Sequence, residues 1–203
     1  VNGLWPWVLA AALGAYHGLN PAMGWLFAVA LGLQAKRRSA VLAALVPIGL
    51  GHLGATGLAV GLVTAGGLAL PGHLLKVAVG VGLAAFGLYR LGRRRHPVRV
   101  GFRVGFPALA VWSFLMASGH GAGMMLAPAA LALPPHPGHA PGPLLMPAVL
   151  TVLHGAVMFL TAGLTALVVY EWVGVEVLRR AWVNTDLAWA GALVAAGILT
   201  LVL

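Results

Sequence analysis

Apolar residues fall along this chain in long blocks, and polar ones gather in the gaps between them. Blocks long enough for a helix to cross the hydrocarbon of a bilayer, about 20 residues, lie near 4–33, 40–65, 72–91, 105–132, 144–170 and 185–203. The pattern predicts an all-α, polytopic membrane protein with six transmembrane helices. The first block is long for one span and carries Asn20-Pro21 in its middle. Proline removes a helix hydrogen bond and clashes with the carbonyl four residues back, so a kinked or broken helix is expected there. The fourth block is interrupted by Ser118-Gly119-His120-Gly121-Ala122-Gly123. The first block has no basic region before it and no small-residue cleavage site, so it reads as a mature helix and not a signal peptide.

Composition strengthens this reading. Hydrophobic residues make up 61% of the chain and charged ones 7%, against about 25% charged in soluble domains. The lipid bilayer is therefore the expected partner of most of the surface. The net charge of +9 would suggest nucleic acid in a soluble protein, but these charges sit between the apolar blocks, so no nucleic-acid partner is expected. Lys36, Arg37 and Arg38 follow the first block. Arg90, Arg93, Arg94, Arg95, Arg99 and Arg103 lie between or flank the third and fourth, and Arg179 and Arg180 separate the fifth from the sixth. The connections near 65–72 and 133–143 contain no lysine or arginine. The positive-inside rule then implies a multi-pass protein of the inner (cell) membrane with both termini outside the cytoplasm. The absence of cysteine excludes disulfides, Cys-ligated zinc and thiol relays.

The two halves resemble each other. His17-Gly18 in the first block corresponds to His120-Gly121 in the fourth, and His52 in the second to His154 in the fifth, at nearly equal separations. The stretch from Lys76 to Gly87 aligns with that from Asp186 to Gly197. This divides the chain into two three-helix repeats, 1–103 and 104–203. Three is an odd number of spans, so the second repeat is inverted relative to the first. Inverted repeats with interrupted helices are a transporter pattern, with the substrate held near the midplane.

Ionisable residues at this depth are costly and mark functional sites, although each can also serve only to tie helices together. The candidate metal ligands are His17, His52, His120 and His154, with Met124 and Met158. Met116, His120 and Met124 fall at helical spacing, as do His154 and Met158. Imidazole with thioether suits copper, nickel or cobalt, while methionine also fills gaps in apolar packing. Pro21 and Pro128 are expected to free the carbonyls of His17 and Met124. Asn20, Lys76 and Asp186 are candidates for the substrate path. The bland alternatives are snorkelling by Lys76 and helix capping by Asp186 or Asn184. In an inverted arrangement Lys76 and Asp186 are not expected to pair. His136 and His139 in the connection 133–143 could capture metal weakly or belong to a stiff linker.

The stretch Leu13-Gly14-Ala15-Tyr16-His17-Gly18-Leu19-Asn20-Pro21-Ala22-Met23 resembles the first-helix motif of the NicO-like nickel/cobalt exporters in the lysine-exporter (LysE) superfamily, Gly-Ala-x-His-Gly-Leu-Glu-Pro-Gly-His. His17, Gly18, Leu19 and Pro21 match it, and His52 matches a further histidine in the family's second helix. The resemblance covers the first two spans by motif and the remainder by hydropathy and spacing. It implies a six-helix secondary transporter with His17 and His52 as substrate ligands. Asn20 stands where the family pattern has an acid, and Met23 where it has a second histidine. Neutral ligands alone make a divalent ion costly at low dielectric, which turns the expectation towards Cu(I) or a non-metal solute.

The expected function is a permease that moves a transition-metal ion by alternating access, the metal being substrate and no resident cofactor being required. The alternatives are a LysE-like exporter of a small organic solute, a haem-binding electron-transfer subunit using buried histidine pairs, and an accessory subunit of a membrane complex. A homo-oligomer or a membrane-complex partner is left open. No enzyme is expected, because there is no carboxylate pair and only Asp186 lies within a span.

Overall fold

The structure, a computed structural model, describes residues 3–69, 71–92, 105–133, 144–173 and 185–202. Arg93, Arg94, Arg95, Arg99, Arg103, Arg179, Arg180, His136 and His139 lie outside the described residues, as do the side chains of Arg90 and Asp186. All regular structure among the described residues is helical. The helices are α1 (Trp5–Leu19), α2 (Trp25–Ala35), α3 (Arg38–Ala69), α4 (Gly72–Gly92), α5 (Phe106–His120), α6 (Ala127–Leu131), α7 (Leu145–Val168) and α8 (Thr185–Val202). Short 3-10 turns at Pro21–Met23 and Met124–Leu126 join α1 to α2 and α5 to α6, and α7 runs on into a π turn at Val169–Val173.

Three described helices are long and apolar enough to cross a membrane: Arg38–Gly67, Gly72–Tyr89 and Leu145–Trp172. Phe106–His120 with Met124–Leu131, bent by 51°, makes a fourth if the pair is one broken span. Trp25–Ala35 and Ala190–Val202 are apolar but shorter. The outward faces are apolar as well. On α3, Leu42, Val46, Leu50, Leu58 and Leu62 are all exposed. That stripe is about 30 Å long at 1.5 Å per residue, the thickness of the hydrocarbon core. Water would not tolerate so long an exposed apolar surface; lipid does.

Both expected interruptions are present, and both are closed by hydrogen bonds. At the first, the Asn20 side chain caps the following turn by accepting from Ala22 N–H at 2.9 Å. Gly24 then turns the chain at a φ of 108°, a left-handed conformation that glycine adopts without a Cβ penalty. The His17 carbonyl is not free: the Asn20 N–H donates to it at 3.2 Å. The Leu19 carbonyl is taken by Trp25 Nε1–H across the break. At the second, Gly121 has a φ of 71°, and Ala122 N–H donates to the Ala117 carbonyl, the bonding of a Schellman C-cap. Pro128 sits in the first turn of α6, where proline is well accommodated. The Met124 carbonyl accepts from Ala127 N–H. The expectation of released backbone oxygens is thus corrected, because at both sites the chain re-pairs its carbonyls within the turn. The single stripe of Met116, His120 and Met124 is corrected too: α5 ends at His120, and Met124 lies beyond the break.

α1 packs along α7, α3 along α5, and α4 along α8. The α1–α7 contact is backbone to backbone. A Cβ on Gly14 would come within 2.5 Å of the His154 carbonyl, and one on Gly18 within 2.5 Å of the Met158 carbonyl. This small-xxx-small spacing is how membrane helices approach closely without a hydrophobic driving force between them. At one end of the bundle Arg38 pairs with Glu171, so the α2–α3 turn and the end of α7 lie on the same side.

Replacing Gly14 with Val should therefore destabilise the protein in detergent by about 1–3 kcal/mol or more, the usual effect of overpacking. Gly61, with no atom within 4 Å of its Cβ position, should accept Ala without loss. Thermal unfolding of the two variants side by side measures the difference.

Candidate metal centre

His17, His52 and His154 converge in the interior, from α1, α3 and α7. His17 and His154 have no exposed surface and His52 has 1%. One ring nitrogen from each lies within 4.8 Å of one from each of the others. The ring centroids are 4.9 Å apart for His17 and His154, 5.4 Å for His17 and His52, and 5.5 Å for His52 and His154. His52 Nε2 and His154 Nε2 approach to 3.2 Å.

Hydrogen bonds fix which nitrogen of each ring faces the cluster. His17 Nδ1 lies 2.7 Å from the Leu13 carbonyl, one turn back in α1. His154 Nδ1 lies 3.1 Å from the Ala10 carbonyl, on the neighbouring helix. A carbonyl only accepts, so in both rings Nδ1 carries the proton and Nε2 keeps the lone pair. Holding the distal N–H on a backbone carbonyl is the arrangement that orients metal-binding histidines. The approach that Gly14 and Gly18 permit is what brings the Ala10 carbonyl within reach of His154. Buried threonines, by contrast, bond their own helices: Thr56 to the His52 carbonyl and Thr151 to the Pro147 carbonyl.

His52 differs. Its Nε2 is engaged with His154, and its Nδ1 is buried with no hydrogen-bond partner among the described residues. A buried polar atom left unmatched costs about 1–3 kcal/mol. The geometry explains what such a site is suited to. Two imidazole nitrogens on a tetrahedral ion, each about 2.0–2.1 Å from it, stand roughly 3.3 Å apart. The His52–His154 pair is already at that spacing, and His17 needs to close by no more than about 1.5 Å to join it. The cluster can hold a metal ion through three neutral nitrogens.

The remaining sequence candidates are placed differently. His120, 4% exposed, ends α5 and bonds the Met116 carbonyl through Nδ1 at 2.7 Å, copying His17, yet it is not part of the convergent group. Met158 is buried in the apolar cluster that contains Met23 and Met125, and Met124 packs against that cluster. Asn20 is buried at the first break with its side-chain oxygen committed to the turn. Lys76 is half-buried in the second turn of α4. A Cβ on Gly87 would meet the Ala190 carbonyl, and one on Gly197 the Gly80 carbonyl. That antiparallel register sets Lys76 and Asp186 at opposite ends of the α4–α8 pair, so they do not face each other. Among the described residues, Glu171 is the one acid with a placed side chain, and it bonds Arg38 at an exposed end.

Sequence reasoning missed the Ala10 carbonyl, which no residue type could signal, and the packing role of Gly14 and Gly18, whose four-residue spacing was visible. The chain matches no family model, no curated protein and no solved structure.

Changing His52 or His154 to Ala should weaken binding of Cu(I) to the purified protein by more than about 100-fold, beyond what loss of an outer-shell partner causes. Competition with a chromophoric chelator measures this.

Proposed function

We propose that this chain is a membrane permease that moves a transition-metal ion by alternating access between two inverted three-helix repeats, 1–103 and 104–203. The observation that carries this reading is the buried, convergent set of His17, His52 and His154, contributed by both repeats, with His17 and His154 oriented by backbone carbonyls. The six spans comprise α1 with α2, then α3, α4, α5 with α6, α7 and α8, with both termini outside the cytoplasm. The helix pairing favours an inverted repeat. α1 packs on α7 as α5 packs on α3, and α4 on α8. In the alignment of Lys76 with Asp186, Gly80 corresponds to Ala190 and Gly87 to Gly197. The contacts Gly80–Gly197 and Gly87–Ala190 then exchange with one another, as a two-fold relation requires. The motif similarity to NicO-like exporters of the LysE superfamily points the same way.

Charge selects among nickel, cobalt and copper. Three neutral nitrogens leave the ion's charge uncompensated, and the cost of burying an ion rises with the square of its charge, so a divalent ion costs about four times as much as a monovalent one. Imidazole suits copper among other transition metals, and with no carboxylate to offset a second charge the monovalent ion, Cu(I), is the one this site favours. An organic solute fits poorly, because rings 4.9–5.5 Å apart leave room for an ion and little more. Axial nitrogens on one haem iron stand about 4 Å apart across a porphyrin plane, which the 3.2 Å between His52 and His154 does not admit.

Vesicles reconstituted with the protein should accumulate Cu(I) down its gradient, and vesicles carrying His154→Ala should not. Equal Cu(I) entry with wild-type protein, with the variant and with empty vesicles would overturn the proposal.

A further inference from the structure

The two repeats place equivalent histidines in unequal positions, and the inequality has a pattern. His17 lies in the last turn of α1 and His120 ends α5; each precedes a break, and each donates Nδ1–H to the carbonyl four residues back at 2.7 Å. The two are therefore built alike, with Nε2 as the lone-pair nitrogen. His17 nonetheless belongs to the convergent group and His120 does not. The second pair shows the complementary asymmetry. His154 Nδ1 donates to the Ala10 carbonyl, whereas His52 Nδ1 is buried with no hydrogen-bond partner among the described residues. The repeat alignment that matches His17 with His120 matches Ala10 with Ser113. Ser113 is already on the surface of α3, its hydroxyl donating to the Ile48 carbonyl at 2.7 Å, one turn from His52.

We infer that His52 and His154 hold the ion in both states of the transport cycle, while His17 and His120 alternate as its third ligand. The inference rests on the permease reading and adds how the site changes hands. In the state described, α1 is engaged: its Ala10 carbonyl orients His154, and His17 completes the site. In the opposite state α5 is engaged: the Ser113 carbonyl orients His52 through Nδ1–H, and His120 replaces His17. The unmatched His52 nitrogen is the position vacated by the disengaged repeat. With an ion on His52 Nε2, the ring proton resides on Nδ1, the donor position that His17, His120 and His154 all use. That N–H then needs a carbonyl, and a slide of α5 along α3 supplies one. Because the ion keeps two ligands throughout, it passes between states without being released into the apolar interior.

The test uses the full chain in detergent and in vesicles, with Cu(I) as the probe and Gln in place of His. His17→Gln and His120→Gln should each lower Cu(I) affinity about tenfold or less, since the other state still offers three nitrogens, and the double variant by at least about 100-fold, more than the product of the two. X-ray absorption should count three nitrogens in each single variant and two in the double. Both single variants should fail to transport, because one of the two states cannot hold the ion. Wild-type transport by His120→Gln, or a loss in His17→Gln as large as in the double variant, overturns the exchange and leaves the permease reading standing. Should His17→Gln not fold, His120→Gln alone decides, since a spectator His120 leaves transport unchanged. Failure of the wild-type protein to bind Cu(I) overturns the permease reading itself.

Discussion

A polar atom placed in hydrocarbon without a partner costs roughly 2–7 kcal/mol, and three of the buried imidazoles converge in the interior of this bundle. With no carboxylate at hand among the described residues, their nitrogens are matched from one another and from the backbone, and His52 Nδ1 alone of the His52 and His154 nitrogens is left without a partner among those residues. The match requires α1 and α7 to approach closely enough for His154 to reach the Ala10 carbonyl. Glycines at 14 and 18 permit that approach. From this contact follow the orientation of His154, the depth of His17 between the helices, and the spacing that an ion would find.

The helix breaks serve the same end. A continuous helix through Asn20 or Gly121 would keep its carbonyls in the α ladder and run the histidine face past the centre. Instead each helix stops at or just after its histidine, and the chain re-enters through a short 3-10 turn with a left-handed glycine nearby. At the first break two carbonyls are taken up locally, that of His17 by the Asn20 N–H and that of Leu19 by Trp25 Nε1–H. Irregular backbone at membrane depth is tolerated when its polar groups are satisfied within the protein. The breaks position side chains; they do not supply oxygen ligands.

Among the described residues no acid joins the histidine cluster, which distinguishes this site from metal-binding pockets built with acids. Neutral nitrogen ligands bind without stabilising extra charge, so selectivity rests on softness and on the ion's own valence. For the permease proposed above such moderation is an advantage, since tight charge compensation would trap the ion.

Several features were legible in the chain alone because they depend on residues close in sequence. The apolar blocks matched the described helices closely in position, Asn20-Pro21 and Gly121 marked the breaks, and four deeply placed histidines stood out against an almost uncharged background. Hydropathy and turn chemistry act locally, so they can be read along one strand of sequence. The re-pairing of the His17 and Met124 carbonyls was not legible, because a proline predicts which hydrogen bond is lost and not which donor replaces it. Nor was the selection of His17, His52 and His154 over His120, or the 144 residues between His154 and its acceptor at Ala10. Those depend on which helices lie across from one another and at what height. Only the tertiary packing decides that, because helical periodicity assigns a residue to a face without saying what the face will meet.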